Sequence, residues 1–189
     1  MKISMADYDR LSDCIKLAQK VHEGQFRKFD PVPFIKHPND VYDMVWHNLY
    51  KKIPDRQFYI MACAAWLHDT VEDRSEEFPN IKELIIEAQG DLPVLPLVLE
   101  LTNPSIPFKG KLNRAARKKM DREHLQKVSW EAKMLKLYDR TCNLRDMQGC
   151  EDGFRVLYCK ESRDLLEVIK DADEKAANML LQEIEKLER

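Results

Sequence analysis

The chain has 189 residues, 44% of them hydrophobic and 34% charged, enough for one globular domain with a buried core and cramped for two. Its formal net charge of −2 excludes a globally basic nucleic-acid binder, and no run approaches the roughly 20 apolar residues of a membrane span. The opening MKISMADYDRL lacks the apolar core of a signal peptide, so the expected address is cytoplasmic. The five cysteines form no CxxC pair and sum to an odd number, which fits reduced thiols used as small apolar fillers.

Apolar residues recur at helical spacing along nearly the whole chain, and no alternating strand pattern competes. Leu11, Ile15, Ala18 and Val21 predict a first helix over about 9–22. The following GQFRKFDPVPFIKHP, with one glycine and three prolines, reads as a loop that lets Arg27 and Lys28 face a cleft. His37-Pro38 opens a second helix, because proline is favoured at the first helical position, and Val41, Met44, Val45 and Leu49 turn inward from it. A third helix over about 55–73 begins amphipathic and becomes almost wholly apolar at IMACAAWL, so its middle is buried on most sides.

Shorter helices follow at about 80–89, closed by Gly90, and at about 94–101. TNPSIPFKGKLN, from Thr102 to Asn113, is a loop and a candidate substrate-covering segment. A helix over about 114–126 leads to Ser129, a good N-cap for a helix running to about Met147. The last two helices separate near Asp171, where Asp171 and Glu174 have capping-box spacing. The expected fold is therefore all-α, one domain over 1–189 with a core at about 9–170 and a C-terminal helix at about 171–188. Trp46, Trp66 and Trp130 are expected in the core. His22, His47 and His124 have no partner pattern and read as surface or partly buried histidines rather than ligands.

The densest chemistry lies in LHDTVED, Leu67 to Asp73. On one continuous helix His68 would stack over Glu72 and Asp69 over Asp73. Carboxylates at the C-terminal end of a buried helix oppose its dipole and are costly unless compensated, and a divalent cation compensates them. The plainer alternative is a solvated helix end. A second element, KLYDRTCNLRDM, sets Asp139, Asn143 and Asp146 among Leu135, Leu137, Leu144 and Met147, leaving Asp139 poorly solvated if unpaired. His37, ordered by Pro38, would complete two imidazoles and two carboxylates, a donor set that suits Mn²⁺, Fe²⁺, Co²⁺ or Zn²⁺ better than Ca²⁺ or Mg²⁺.

GQFRK, IKHP, LHDTVED and KLYDR-NLRDM, in this order between Ala18 and Met147, resemble the HD superfamily and, within it, the RelA/SpoT-type alarmone hydrolases, especially their small stand-alone members. The specific part is HDxxED with the upstream QxRK and the downstream D-x-x-x-N-L-R. The resemblance implies a multi-helix HD-domain bundle around a metal site, with His37, His68, Asp69 and Asp139 binding one divalent metal, usually Mn²⁺. It also implies that Glu72 and Asp73 form the pair that distinguishes hydrolysing members, that Arg27, Lys28 and Lys136 are basic positions beside the substrate, and that Asn143 contacts its sugar or phosphates. The implied reaction is hydrolysis of a nucleotide 3′-pyrophosphate, (p)ppGpp to GDP or GTP plus pyrophosphate, with a small-molecule nucleotide as partner and neither nucleic acid nor membrane.

Rival readings are an HD-type phosphatase acting on NADPH, a nucleoside monophosphate or an adenosine alarmone, and a non-catalytic nucleotide sensor, against which the Glu72-Asp73 pair speaks. A purely structural cluster in an interaction module is a third, and a homo-oligomer stays open. Arg117 and Lys118 are further candidates to offset substrate charge, although RAARKK, Arg114 to Lys119, reads first as a solvated helix face. Tyr138 stands where the family pattern has a small residue, and Asn103-Pro104-Ser105 replaces a more charged segment; both bear on which nucleotide fits.

Overall fold

The computed structural model describes residues 5–29, 31–147 and 149–189. The chain divides into two compact units, Met1–Arg27 with Val32–Thr102, and Lys28–Pro31 with Asn103–Arg189. Among the described residues no strand forms, and pairing of that kind is limited to isolated bridges, Phe26 with Pro33 and Lys109 with Leu112. The all-α expectation holds. No helix among these residues is long and apolar enough to cross a membrane.

The first unit contains α1 (Met5–Val21), α2 (Lys36–Leu49), α3 (Asp55–Leu67), α4 (Thr70–Arg74), α5 (Ile81–Gln89) and α6 (Val94–Leu101). Helix α3 is its centre, packed against α1, α2 and α6. Every residue from Met61 to Leu67 is buried, which is what an apolar run without a polar stripe requires. Leu11, Cys14, Ala18 and Val21 of α1 and Val41 and Val45 of α2 are buried in the same unit. Pro38 falls in the first turn of α2 rather than at its first position, because the helix begins at Lys36; a proline N–H is dispensable anywhere in that turn.

Helix α3 does not run on to Asp73 as the sequence predicts. It stops at Leu67 and a new short helix starts at Thr70. The reason is local: the Ala65 carbonyl accepts from His68 Nδ1 at 2.8 Å, and the Leu67 carbonyl accepts from Thr70 Oγ1 at 2.6 Å. Side chains thus compete with the backbone for carbonyls of the last turn. Asp69 becomes the residue preceding α4, and Glu72 and Asp73 fall in that helix's first turn. The carboxylates that the sequence places on the last turn of α3 therefore sit in the single turn of a separate short helix.

The second unit contains α7 (Arg114–Leu125), α8 (Trp130–Arg145), α9 (Asp152–Ile169) and α10 (Glu174–Glu188), with 3₁₀ turns at Ile106–Phe108 and Lys170–Ala172. Helix α8 packs on α9 and α10. Ser129 caps it as predicted, accepting from Ala132 N at 3.2 Å, a contact that stabilises a helix by about 1 kcal/mol. The cap of α10 is Asp173, accepting from Ala176 N at 2.8 Å, and not Asp171. The 3₁₀ turn occupies Asp171 and moves the helix start two residues on. Of the three tryptophans only Trp66 is buried, at 6% exposure; Trp46 and Trp130 are 37% and 36% exposed. Trp46 stacks on Tyr50 with centroids 4.3 Å apart, and Trp130 donates its indole N–H to the Ala172 carbonyl at 2.8 Å. All five cysteines are free and buried, as apolar fillers should be.

Tyr138 is 2% exposed, and burial, with the Asp173 carboxylate second, pushes its phenol far above the ordinary tyrosine range. Burial, followed by Asp43, pushes Tyr42 up to about 12. An unfolded tyrosine ionises near pH 10, so above that point the unfolded chain loses protons that the native protein retains, and stability falls as pH rises. The urea midpoint is expected to decline between about pH 10 and 12, and Tyr42→Phe to make that decline shallower. An unchanged slope in the variant would remove Tyr42 from the account.

Candidate metal centre

At the buried end of α3 and the start of α2, three donor atoms of the first unit converge. His37 Nε2 and His68 Nε2 are 3.2 Å apart, His68 Nε2 is 3.1 Å from Asp69 Oδ2, and His37 Nε2 is 3.5 Å from the same oxygen. His37 is fully buried and His68 is 3% exposed. Because His68 Nδ1 faces the Ala65 carbonyl, that nitrogen carries the hydrogen and Nε2 presents its lone pair. A single proton among the three donors links one pair of them; a cation satisfies all three at once. Donors bound about 2.0–2.2 Å from one ion lie about 3.0–3.6 Å apart, and these three meet that requirement. Among the described residues they form the group of histidine, cysteine and acidic side chains close enough to hold a metal ion.

His22 belongs to the surroundings of this cluster, contrary to the expectation from its sequence context. It is 3% exposed, its Nδ1 lies 2.7 Å from Gln25 Oε1, and its ring stacks on Phe34. Burial holds its pKa below the ordinary imidazole value, with Gln25 and Asp69 opposing that shift and His68 and Arg74 adding to it. The signal available in the sequence was the His22-x-x-Gln25 spacing directly before the basic pair. Glu72 is half-buried and Asp73 exposed, both on α4 one turn beyond the histidine.

Arg27 and Lys28, adjacent in sequence, belong to different units. The Arg27 guanidinium lies 5.4 Å from the Phe34 ring centroid in the first. Lys28 Nζ lies 4.9 Å from Phe29 and 4.5 Å from Phe154 in the second.

In the second unit Asp139 is 4% exposed on α8. Its Oδ2 is 2.8 Å from Lys136 Nζ, itself buried, and its Oδ1 accepts from Asn143 Nδ2. The predicted basic and amide positions are thus bonded to the predicted carboxylate, one turn before and one turn after it. The unit also holds Arg140 and cations of the Arg114–Lys119 run, whose pattern predicts a solvated face. Arg114 makes a bidentate pair with Glu161 at 2.6 and 2.8 Å. Arg140, 6% exposed, lies 4.4 Å over the Tyr158 ring and donates to Ser162 Oγ at 3.4 Å. Lys118 is half-buried beside Asp121, and burial first, then the charge of Arg140, lowers its pKa. Lys119 stays exposed as expected. The candidate covering loop is tied to α7 by Ser105 N, which donates to Asp121 Oδ1 at 3.3 Å.

A Xenopus tropicalis protein named guanosine-3′,5′-bis(diphosphate) 3′-pyrophosphohydrolase MESH1 is 33% identical over 147 residues, 77% of this chain and 73% of its own length. The chain belongs to the MESH1 family. The Homo sapiens protein of that name is 34% identical over 143 residues, covering 75% of this chain and 71% of the relative. A solved structure described as a metazoan ortholog of SpoT that hydrolyzes ppGpp and plays a role in starvation responses matches with a TM-score of 0.74 and 26% identity, over 94% of each chain. No family model matches the sequence. The fold is accordingly that of the all-α HD-domain hydrolases, and His37, His68 and Asp69 lie close enough together to hold a metal ion.

Incubated with Mn²⁺ and desalted, the protein is expected to retain about one ion per chain by elemental analysis, and His68→Ala under about a tenth of that. Equal metal content in the variant would remove the centre from these residues.

Proposed function

We propose that this chain is a metal-dependent hydrolase of a nucleotide 3′-pyrophosphate, converting (p)ppGpp to GDP or GTP and pyrophosphate. The observation that carries the reading is the convergence of His37, His68 and Asp69 immediately before Glu72 and Asp73, in a chain whose relatives are named for that activity. Mn²⁺ is the proposed metal, from the mixed nitrogen and oxygen donors, with Asp139 as a fourth ligand on the family pattern. The 94% coverage of the solved relative supports reading 1–189 as one HD-type domain, and the proposed address is the cytoplasm.

When bound there, a divalent cation polarises a phosphoryl oxygen and makes a water molecule more acidic. The protein's part is to hold reactants and move protons. The carboxylate of Glu72 or Asp73 accepts the proton of the attacking water, a role for which a carboxylate within hydrogen-bond reach is suited. The water oxygen bonds to the phosphorus carried on the ribose 3′ oxygen, the bond between that phosphorus and O3′ breaks, and O3′ leaves with a proton. Arg27 and Lys28 offset the charge of the polyphosphate. Lys136 and Asn143 hold the Asp139 carboxylate in place and contact the substrate's phosphates or sugar.

With Mn²⁺ present, the protein is expected to release pyrophosphate from ppGpp, and Glu72→Gln to lower kcat at least about 100-fold with metal content unchanged. Orthophosphate release from NADPH with no pyrophosphate from ppGpp would assign the centre to the phosphatase reading instead. Nucleotide binding without turnover of either would make the chain a sensor.

A further inference from the structure

The two imidazoles of the centre are held by different means. His68 is fixed by its own neighbourhood, through the Ala65 carbonyl. His37 has its main chain anchored in the first turn of α2, with its N–H donated to the Phe34 carbonyl at 2.9 Å. That anchoring acts on the backbone, whereas the ring is set by its last side-chain torsion, whose minima are broad.

A chain of contacts from the preceding loop restricts that rotation. Phe34 and the His37 ring meet edge to face, at a centroid distance of 5.9 Å and an interplanar angle of 67°. Phe34, 8% exposed, is stacked in turn on His22 at 4.6 Å and 28°. His22 is held by Gln25, whose side-chain oxygen lies 2.7 Å from Nδ1. Gln25 closes the circuit through its backbone, because its carbonyl accepts from Phe34 N at 2.8 Å. One glutamine therefore sets both the ring below Phe34 and the main chain that carries Phe34.

We infer that His22, Gln25 and Phe34 act as positioning residues that preorganise His37 for metal binding, with Gln25 as the keystone. The inference rests on the metal-centre reading above. A ligand ring ordered before the ion arrives loses less freedom on binding, which is how groups behind metal ligands raise affinity, typically by 10–100-fold. The low pKa of His22 agrees with a neutral ring whose Nδ1–H is donated to Gln25.

Mn²⁺ titration of the metal-free full-length chain, read by the electron paramagnetic resonance of free Mn²⁺, tests this. Gln25→Leu and Phe34→Leu are each expected to weaken binding about tenfold, with the melting temperature of the metal-free Gln25→Leu protein near wild type. Because the residues act in series, the double variant should bind no worse than the weaker single one. Gln25→Glu, which keeps an acceptor for His22, should restore wild-type affinity. Gln25 lies half-buried in a loop, so its variants decide the matter even if Phe34→Leu folds poorly. Wild-type affinity in Gln25→Leu, or additive losses in the double variant, overturns the inference while leaving the metal centre standing. Failure of the wild-type chain to bind Mn²⁺ overturns the metal-centre reading itself, and this inference with it.

Discussion

Two imidazole nitrogens and a carboxylate oxygen are held within 3.5 Å of one another, at the end of a helix whose last seven residues are all buried. Lone pairs and negative charge are brought together where water is scarce, and a positive ion is what makes the arrangement favourable. Much of the first unit can be understood as the means of imposing this. The apolar run of α3 brings His68 inside, the side-chain bonds at Ala65 and Leu67 break the helix there, and the break swings Asp69 toward the histidines while placing Glu72 and Asp73 at the start of α4. Had α3 continued, these groups would have lain along a helix face.

The second unit holds its buried carboxylate through neighbours on the same helix. A buried carboxylate, Asp139, is bracketed on one helix by Lys136 and Asn143, so both its oxygens have donors. The nearby cations are likewise matched, Arg114 by Glu161 and Lys118 by Asp121, while Arg140 rests on Tyr158 and Ser162. Such matched charge keeps a polar interior stable.

The all-α fold, the helix order, Gly90 as a terminator and Ser129 as a cap were legible because each is local: periodicity, a positive φ, a hydroxyl three residues before a free N–H. So were His68 and Asp69, adjacent and at the end of an apolar run. What was not legible depends on competition or on contacts distant in sequence. The break at Leu67 is decided by side chains outbidding backbone N–H groups for two carbonyls, which helical periodicity does not register. The cap of α10 moved from Asp171 to Asp173 because a 3₁₀ turn came first. Trp46 and Trp130 look like core residues by composition, yet each finds a half-exposed place, one on Tyr50 and one at the Ala172 carbonyl. His22 reads from sequence as a surface or partly buried histidine because its partners, Gln25 and Phe34, meet it only once the loop folds back. Lys118 looked solvated in a run of basic residues, and only the packing of its unit turns it inward.

The most direct test of the account is anomalous diffraction at the manganese edge from crystals of the full chain grown with Mn²⁺. The account predicts one strong peak about 2.0–2.4 Å from His37 Nε2, His68 Nε2 and an oxygen of Asp69. No peak at these three side chains, or a full-strength peak elsewhere, would contradict it.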